Sequence, residues 1–261
     1  MPTEREYRKE MIAVSRRLYE KGFVAAHDGN LTVKLDDNRF LATPSGFCKG
    51  DLTENDLIIC DAKGQRITGK YRVTSEILMH LKGYSQRPDI RAAIHAHPTM
   101  AIAFSLAGIS LAKCLLPEMV LTVGTIPTTT YATPSTIEGA EVIQDLIKNY
   151  DVMIVDRHGS FTVGKTIWDA YFKLERLEHV AQVTYYARQL GPLREIPKEE
   201  MSKLISRATK LGVNPGALGC NTCGTCGKKQ EESNDQSSDS NRNGMDRTLI
   251  ESITREVIQS L

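Results

Sequence analysis

The sequence predicts a layered α/β domain over residues 1–210, and two observations support this fold class. Apolar segments with the two-residue spacing of strands alternate with segments of helical spacing, and short turns separate them. Mixed strands and helices of this kind pack in layers around a shared hydrophobic core. The composition agrees, because 41% hydrophobic and 25% charged residues are ordinary for a soluble globular enzyme.

Charge and hydropathy exclude several classes of partner. A formal net charge of +1 gives no global field that would attract nucleic acid or an anionic membrane. No apolar run approaches the length of about 18 residues that a membrane-spanning helix needs. Residues 1–6 are polar and lack the apolar core of a signal peptide. We therefore expect a cytoplasmic protein with neither a nucleic-acid nor a membrane partner.

Each predicted element follows from a local pattern. Tyr7, Met11 and Val14 recur at helical spacing, and Gly22 ends that helix. Leu31 and Leu35 belong to a segment that alternates as a strand does. The predicted strands are 31–35, 39–42, 57–60, 92–97 and 152–155. The predicted helices are 7–22, one capped by Thr74 or Ser75 with Glu76 in its first turn, 101–106 and 167–189.

Beyond residue 210 the composition changes three times. Residues 211–229 are rich in Gly and Cys, and Cys220, Cys223 and Cys226 have the spacing of metal or iron–sulfur ligands, although no fourth ligand is evident. Residues 230–245 are almost entirely polar and predict a flexible linker. Residues 246–261 place their aliphatic side chains mainly on one side of a helical wheel, which predicts a short amphipathic helix.

Three histidines form a candidate metal site. His95 and His97 lie two residues apart near the end of a predicted strand, so both imidazoles project from the same face, roughly 7 Å apart along it. His158 follows another buried strand and is the candidate third ligand. Three histidines leave a fourth position of zinc open for substrate. The His-x-His spacing is also compatible with histidines that are merely buried or exposed.

Glycine and hydroxyl residues in turns form a candidate phosphate site. Gly29-Asn30 and Thr43-Pro44-Ser45-Gly46 can offer backbone N–H groups and hydroxyls to a phosphate. The same residues are also common in plain hairpin turns. Glu76, taken alone, is also compatible with a helix start, where an acid is favoured by the helix dipole.

Taken together, these motifs resemble the class II aldolase/adducin family. The order and distances of Gly29-Asn30, Thr43-Pro44-Ser45-Gly46, Thr74-Ser75-Glu76, His95-Ala96-His97-Pro98 and His158-Gly159 carry the resemblance, which runs from the first helix to about residue 189. It implies a three-layer α/β/α fold, one Zn²⁺ per subunit on the three histidines, and a homotetramer with sites at subunit interfaces. A non-catalytic, adducin-like binding protein is the alternative from another class.

The resemblance also implies residue roles and a reaction. Gly29, Asn30, Ser45, Gly46, Thr74 and Ser75 would bind a substrate phosphate, and Glu76 would move a proton at C3. We expect cleavage of a ketose 1-phosphate, L-fuculose 1-phosphate first, to dihydroxyacetone phosphate and lactaldehyde. L-Rhamnulose 1-phosphate cleavage and 4-epimerisation of a pentulose 5-phosphate are the alternatives. Where members that cleave such deoxyketose phosphates carry a tyrosine near the aldehyde, this chain has Glu118.

The tail 246–261 resembles the encapsulation peptides that load enzymes into bacterial microcompartments. An amphipathic helix on a polar tether needs a partner groove, because it cannot bury its own apolar side. We therefore expect shell or cargo proteins as partners and the lumen of a microcompartment as the location. Docking of this helix on its own body or on another subunit is the alternative.

Overall fold

The computed structural model of the chain describes residues 2–218. The predicted linker, the predicted amphipathic helix and the cluster of Cys220, Cys223 and Cys226 lie outside these residues, and their boundaries stay predictions. No helix within residues 2–218 is long and apolar enough to cross a membrane.

One seven-stranded antiparallel sheet organises residues 30–164. The strands are β1 (Asn30–Lys34), β2 (Phe40–Ala42), β3 (Ile58–Cys60), β4 (Arg66–Thr68), β5 (Ala92–Ala96), β6 (Val152–Val155) and β7 (Gly159–Gly164). Their order across the sheet is β4-β3-β2-β1-β5-β7-β6. The central strand β5 pairs with β1 and β7, and in this register His95 lies opposite Asn30 on one side and Phe161 on the other.

Helices cover both faces of the sheet. The α-helices of the described residues are α1 (Glu4–Glu20), α2 (Ile77–Gln86), α3 (Thr99–Leu106), α4 (Pro117–Thr122), α5 (Ile137–Glu141), α6 (Ile167–Leu190) and α7 (Lys198–Lys210). Of these, α7 packs in a third cluster with α4. One core joins α1, α3, α4 and α6 to one face of the sheet, with Leu31 and Ile94 at its centre. A second core joins α2 and α5 to the opposite face, through Ala93 and Phe161. The predicted three-layer α/β/α fold is confirmed.

The alternation within β5 explains why the site lies on the α2 side. Ala92, Ile94 and Ala96 enter the first core, and Ala93 enters the second. His95 shares the face of Ala93, because successive strand residues point to opposite faces. The side chain of His95 is completely buried on this side of the sheet.

One detail of the predicted α2 is wrong. Thr74 or Ser75 was expected to cap the helix with Glu76 in the first turn, but Glu76 itself is the N-cap residue and the helix begins at Ile77. The backbone of Glu76, at φ −102° and ψ 17°, lies outside the helical region. This geometry accompanies a carboxylate that contacts Asn30 and His95 rather than solvent.

Candidate active site

His95, His97 and His158 converge on one point. One ring nitrogen from each lies within 4.8 Å of the others. Nε2 of His95 is 2.9 Å from Nε2 of His97, and the ring of His158 is centred 4.5 Å from that of His95. Gly159 makes this approach possible, since a Cβ there would lie 2.8 Å from Cδ2 of His97 and 3.0 Å from Cε1 of His95. Three nitrogens this close form a ready donor set for one divalent ion.

The protonation of His95 suits a metal ligand. Its Nδ1 lies 2.9 Å from the carbonyl oxygen of Ser160, so Nδ1 donates its hydrogen there and Nε2 keeps a free lone pair. Burial, together with the neighbouring His97 and His158, holds the pKa of His95 well below its ordinary value. Burial also lowers the pKa of His158. Both rings are therefore neutral at pH 7, as ligation requires.

Glu76 lies directly above the histidines. Its Oε2 is 3.2 Å from Nε2 of His95, and its Oε1 is 3.4 Å from Nε2 of His158. The Glu76 side chain is only 12% exposed, so its carboxylate faces the site rather than bulk solvent. The chain thus places one proton acceptor beside the candidate metal ligands, which is the arrangement that general acid–base chemistry needs.

A buried network of hydrogen bonds supports the carboxylate of Glu76 through Asn30. Nδ2 of Asn30 donates to Oε2 of Glu76 at 3.0 Å, and Oδ1 of Asn30 lies 2.6 Å from Nε2 of His80. Nδ1 of His80 contacts the Thr32 hydroxyl at 2.7 Å, and Tyr84 donates to the Thr32 carbonyl at 3.0 Å. Burial lowers the pKa of His80 to about 3, so its ring is neutral. This network fixes which end of the Asn30 amide faces Glu76.

Asp28 is a residue of the site that the sequence pattern does not reveal. Its Oδ2 lies 3.2 Å from Nδ1 of His97. A carboxylate on the far nitrogen of a ligating histidine orients the ring and raises its basicity. Asp28 immediately precedes Gly29-Asn30, but nothing in the spacing connects it with a histidine 69 positions later.

Three loop segments lie side by side around the histidines, and we call residues 27–30 the first, residues 43–47 the second and residues 72–76 the third. The N–H of Ser45 donates to the carbonyl of Arg72 at 2.9 Å, which joins the second segment to the third. The first segment turns at Gly29, whose φ is +72°. A Cβ on Gly29 would lie 2.6 Å from Val24 and 2.9 Å from the carbonyl of His95, so only glycine fits there.

These segments enclose a cavity of about 230 Å³. All six predicted phosphate-binding residues line it, together with Glu76, His97 and His158. The lining residues that the sequence interpretation did not assign to the site are His27, Asp28, Pro44, Pro134 and Ser135. Glu118 is exposed on α4 and does not line this cavity within the described chain.

The family of this chain follows from its sequence. Residues 9–185 match the family model of the class II aldolase and adducin N-terminal domain. The chain therefore belongs to this family, as the motifs suggested. Because the family and its L-fuculose phosphate aldolase relatives are metal-dependent, the chain is a metal-dependent aldolase of the lyase class. The cluster of three histidines fits this metal dependence.

Named relatives narrow the comparison. The chain is 38% identical over 181 residues to an L-fuculose phosphate aldolase of Methanococcus maripaludis, an alignment that covers 69% of this chain and 97% of the relative. It is 30% identical over 189 residues to a 3-oxo-tetronate 4-phosphate decarboxylase of Pectobacterium atrosepticum, and this alignment covers 71% of this chain and 86% of the relative.

A solved L-fuculose 1-phosphate aldolase superposes with a TM-score of 0.71 at 27% identity, covering 78% of this chain and 95% of the other. The L-fuculose-1-phosphate aldolase of Thermus thermophilus superposes with a TM-score of 0.61, also at 27% identity, over 70% of this chain and 96% of the other.

Proposed function

We propose that this enzyme cleaves L-fuculose 1-phosphate to dihydroxyacetone phosphate and lactaldehyde. The observation that carries the proposal is one cavity lined by a proton acceptor, two of the three candidate metal ligands and all six candidate phosphate residues. The 38% identity to an L-fuculose phosphate aldolase over nearly the whole of that relative supports this substrate.

Glu76 and the phosphate residues divide the work. Asn30, Ser45 and Ser75 would anchor the phosphate with neutral donors, which orients C3 of the sugar toward Glu76. In the cleavage direction the C4 hydroxyl loses its proton as the C3–C4 bond breaks, its oxygen becomes the carbonyl oxygen of lactaldehyde, and Glu76 returns a proton to C3 of the phosphate-bearing fragment. In the reverse direction Glu76 removes the C3 proton and the new C4 oxygen is protonated. A divalent ion, zinc in our proposal, would be held by His95, His97 and His158 and would supply a Lewis acid that polarises the carbonyl.

A substrate panel tests the reaction. Purified protein is incubated separately with L-fuculose 1-phosphate, L-rhamnulose 1-phosphate and L-ribulose 5-phosphate, and the products are identified by mass spectrometry. We expect aldol cleavage of the first compound at the highest kcat/KM. A preference for the second, or 4-epimerisation of the third, would replace this substrate assignment. No turnover of any of the three compounds would reject this substrate assignment.

Decarboxylation of a 3-oxo-tetronate 4-phosphate is the second candidate. The 30% identity to such a decarboxylase favours it, because that alignment also covers most of the relative. Both reactions break a carbon–carbon bond next to a carbonyl and leave negative charge that the same site could stabilise. Release of carbon dioxide from this compound, faster than cleavage of L-fuculose 1-phosphate, would decide for the decarboxylase.

The metal and its ligands have a separate test. We expect one zinc per subunit in the wild type and almost none in His97→Ala, because one of three ligands is lost. Metal analysis by mass spectrometry measures this directly, and equal metal content in both proteins would refute the site. A different divalent ion in the wild type would correct the identity of the metal and leave the ligands in place.

The phosphate assignment predicts a change in KM. Ser75→Ala should raise KM for the phosphorylated substrate more than it lowers kcat, because Ser75 is assigned to anchoring alone. Asn30→Ala should raise KM and also lower kcat, because Asn30 additionally donates to Glu76. Thr53→Ala, at a hydroxyl outside the cavity, is the control. Unchanged KM in both test variants would mean that the phosphate binds elsewhere.

We also propose that the enzyme is a homotetramer loaded into a microcompartment through residues 246–261. The support is the aliphatic stripe on a polar tether in the sequence, together with the reactivity of lactaldehyde, an intermediate that a protein shell would confine. A fluorescent protein fused to residues 246–261 should enter shells in a host that makes them. A diffuse fusion, with loss of tetramer or activity on deleting 246–261, would assign this segment to the body of the enzyme.

A further inference from the structure

Lys49 is a buried cation beside the candidate phosphate cavity. Its residue surface is 1% exposed, and it is the sole buried lysine or arginine in the part of the chain that the structure describes. Burying an ammonium costs several kcal/mol unless something compensates the charge. A residue kept in such a place therefore needs a physical explanation.

The ammonium of Lys49 joins two of the three segments around the cavity. Nζ donates to the carbonyl of His27 at 3.0 Å and to the carbonyl of Phe47 at 2.6 Å. His27 begins the segment that carries Gly29 and Asn30, and Phe47 follows Ser45 and Gly46 directly. One side chain thus sets the spacing of two segments that both line the cavity.

No carboxylate of residues 2–218 lies within ion-pair distance of Lys49 Nζ. Two other well-covered cations differ: Arg87 is 3.0 Å from Asp151, and Lys173 is 3.0 Å from both Asp151 and Asp169. Asp28 contributes attraction to Lys49, but its carboxylate contacts His97 instead. Burial accordingly lowers the pKa of Lys49 to about 8, which still leaves it mainly protonated at pH 7.

None of the candidate phosphate residues is charged, whereas Lys49 carries a positive charge that no carboxylate of residues 2–218 pairs with. All six are glycine, asparagine, serine or threonine, whereas a phosphate monoester near pH 7 carries between one and two negative charges. We propose that Lys49 is a positioning residue of the phosphate site, which holds the two segments in place and supplies the positive charge that balances the bound phosphate group. This inference rests on the proposed sugar-phosphate function.

Inorganic phosphate is the probe that tests this role. Metal-loaded protein is titrated with phosphate, and the rise in Tm of each variant is measured against its own Tm without phosphate, because ligand binding to the native state raises Tm. Lys49→Met should bind phosphate about tenfold more weakly than wild type, since a buried charge interaction is lost. Lys63→Met, which removes the same charge from an exposed turn, should bind as wild type does.

A kinetic measurement separates charge balance from simple loop support. Lys49→Met should raise KM for the phosphorylated substrate by a similar factor and change kcat by less than about twofold. Lys49→Gln separates the two roles, because its amide can still donate to the loop carbonyls but carries no charge; it also takes the place of the methionine variant if that does not fold. Unchanged phosphate affinity in the folded Lys49 variant would overturn the inference.

Failure of the inference and failure of the proposed function give different results. Phosphate binding that weakens in Lys49→Met, with no turnover of any sugar phosphate, would support the role of Lys49 and reject the proposed reaction. Turnover of L-fuculose 1-phosphate with unchanged KM in Lys49→Met would support the proposed reaction and reject the role of Lys49. A wild type that phosphate does not stabilise at all would reject both the phosphate site and the role of Lys49.

Discussion

The two ends of the sheet differ in whether their charged side chains are paired with one another. At the end where β5 finishes, which we call the histidine end, His95, His97, His158 and Glu76 lie close together. Within residues 2–218 no carboxylate pairs with Lys49, which bonds to backbone carbonyls. At the end where β5 begins, which we call the ion-pair end, the charged residues pair with one another. Its members are Arg87, Asp89, Asp151, Asp169 and Lys173.

Cavity size and side-chain chemistry point to different ends of the sheet. The ion-pair end borders a cavity of about 890 Å³, larger than the cavity of about 230 Å³ at the histidine end. In the larger cavity Asp151 is already bonded to both Arg87 and Lys173, so much of its charge is compensated within the protein. At the histidine end the donors remain available to an ion or a ligand. We therefore base the functional proposal on the groups that have no compensating partner within the described part of the protein, rather than on cavity size.

The largest effect is expected from Glu76→Gln at the histidine end. The amide has nearly the same shape as the carboxylate but cannot accept the proton at C3. Turnover should fall by about 10²–10⁴-fold, the usual contribution of general acid–base catalysis, while metal content and Tm stay close to wild type. Steady-state kinetics and metal analysis measure both, with Glu199→Gln on exposed α7 as control. A loss smaller than about tenfold would contradict the assigned role.

Asp28→Asn should have the next largest effect. The carboxylate near Nδ1 of His97 strengthens that ring as a ligand, and such partners typically contribute about 10–100-fold to metal affinity. Asparagine keeps the shape and loses the charge, so we expect a loss near the lower end of that range. Competition with a chelator measures it. Asp37→Asn removes an equivalent charge from an exposed turn; if both variants bind metal equally, Asp28 does not support the site.

The sequence predicted best the elements whose pattern is local. The strand 152–155 has the bounds of β6, and the strand 92–97 and helix 167–189 differ from β5 and α6 by one residue each. Strand β7 was missed because His158-Gly159 was read only as a motif, although Phe161 and Val163 alternate with polar residues. Helix α4 was missed because six residues, of which the first is Pro117, give too little periodicity to detect.

The residues of the candidate site also fall into two groups: those that the sequence predicted and those that only the structure reveals. The motifs, and the family resemblance that they carry, predicted the three histidines, Glu76 and the candidate phosphate residues. The structure brings these residues together around one cavity. Asp28 and Lys49 could not be found by that reasoning. Lys49 bonds to backbone carbonyls, and Asp28 contacts a histidine far along the chain. Such contacts exist only after the strands have paired, so no spacing in the sequence encodes them.

At the ion-pair end, Asp151→Asn should change stability and leave catalysis intact. Asp151 is 18% exposed and accepts from Arg87 and Lys173. Removing its charge leaves Arg87 paired with Asp89 alone and Lys173 paired with Asp169 alone. The lost hydrogen bonds to charged groups should lower the free energy of unfolding by about 1–3 kcal/mol. Chemical denaturation measures this. Below the unfolding transition kcat and metal content should match wild type, and a large loss of kcat would show that the two ends are coupled.

The smallest effect is expected from Asp89→Asn, and it should depend on pH. The Arg87 guanidinium, 2.7 Å away, holds the pKa of Asp89 below its ordinary value of 3.8. A carboxyl whose pKa is lowered by folding stabilises the native state above its ordinary pKa, and this contribution is lost as pH falls through the lowered value. Asp89 is half exposed, so at pH 7 we expect a loss of only about 0.2–1 kcal/mol. The difference between variant and wild type should shrink as the pH falls below about 4. Denaturation series at several pH values measure it, and a difference that grows toward acid pH would show that this ion pair does not stabilise the fold.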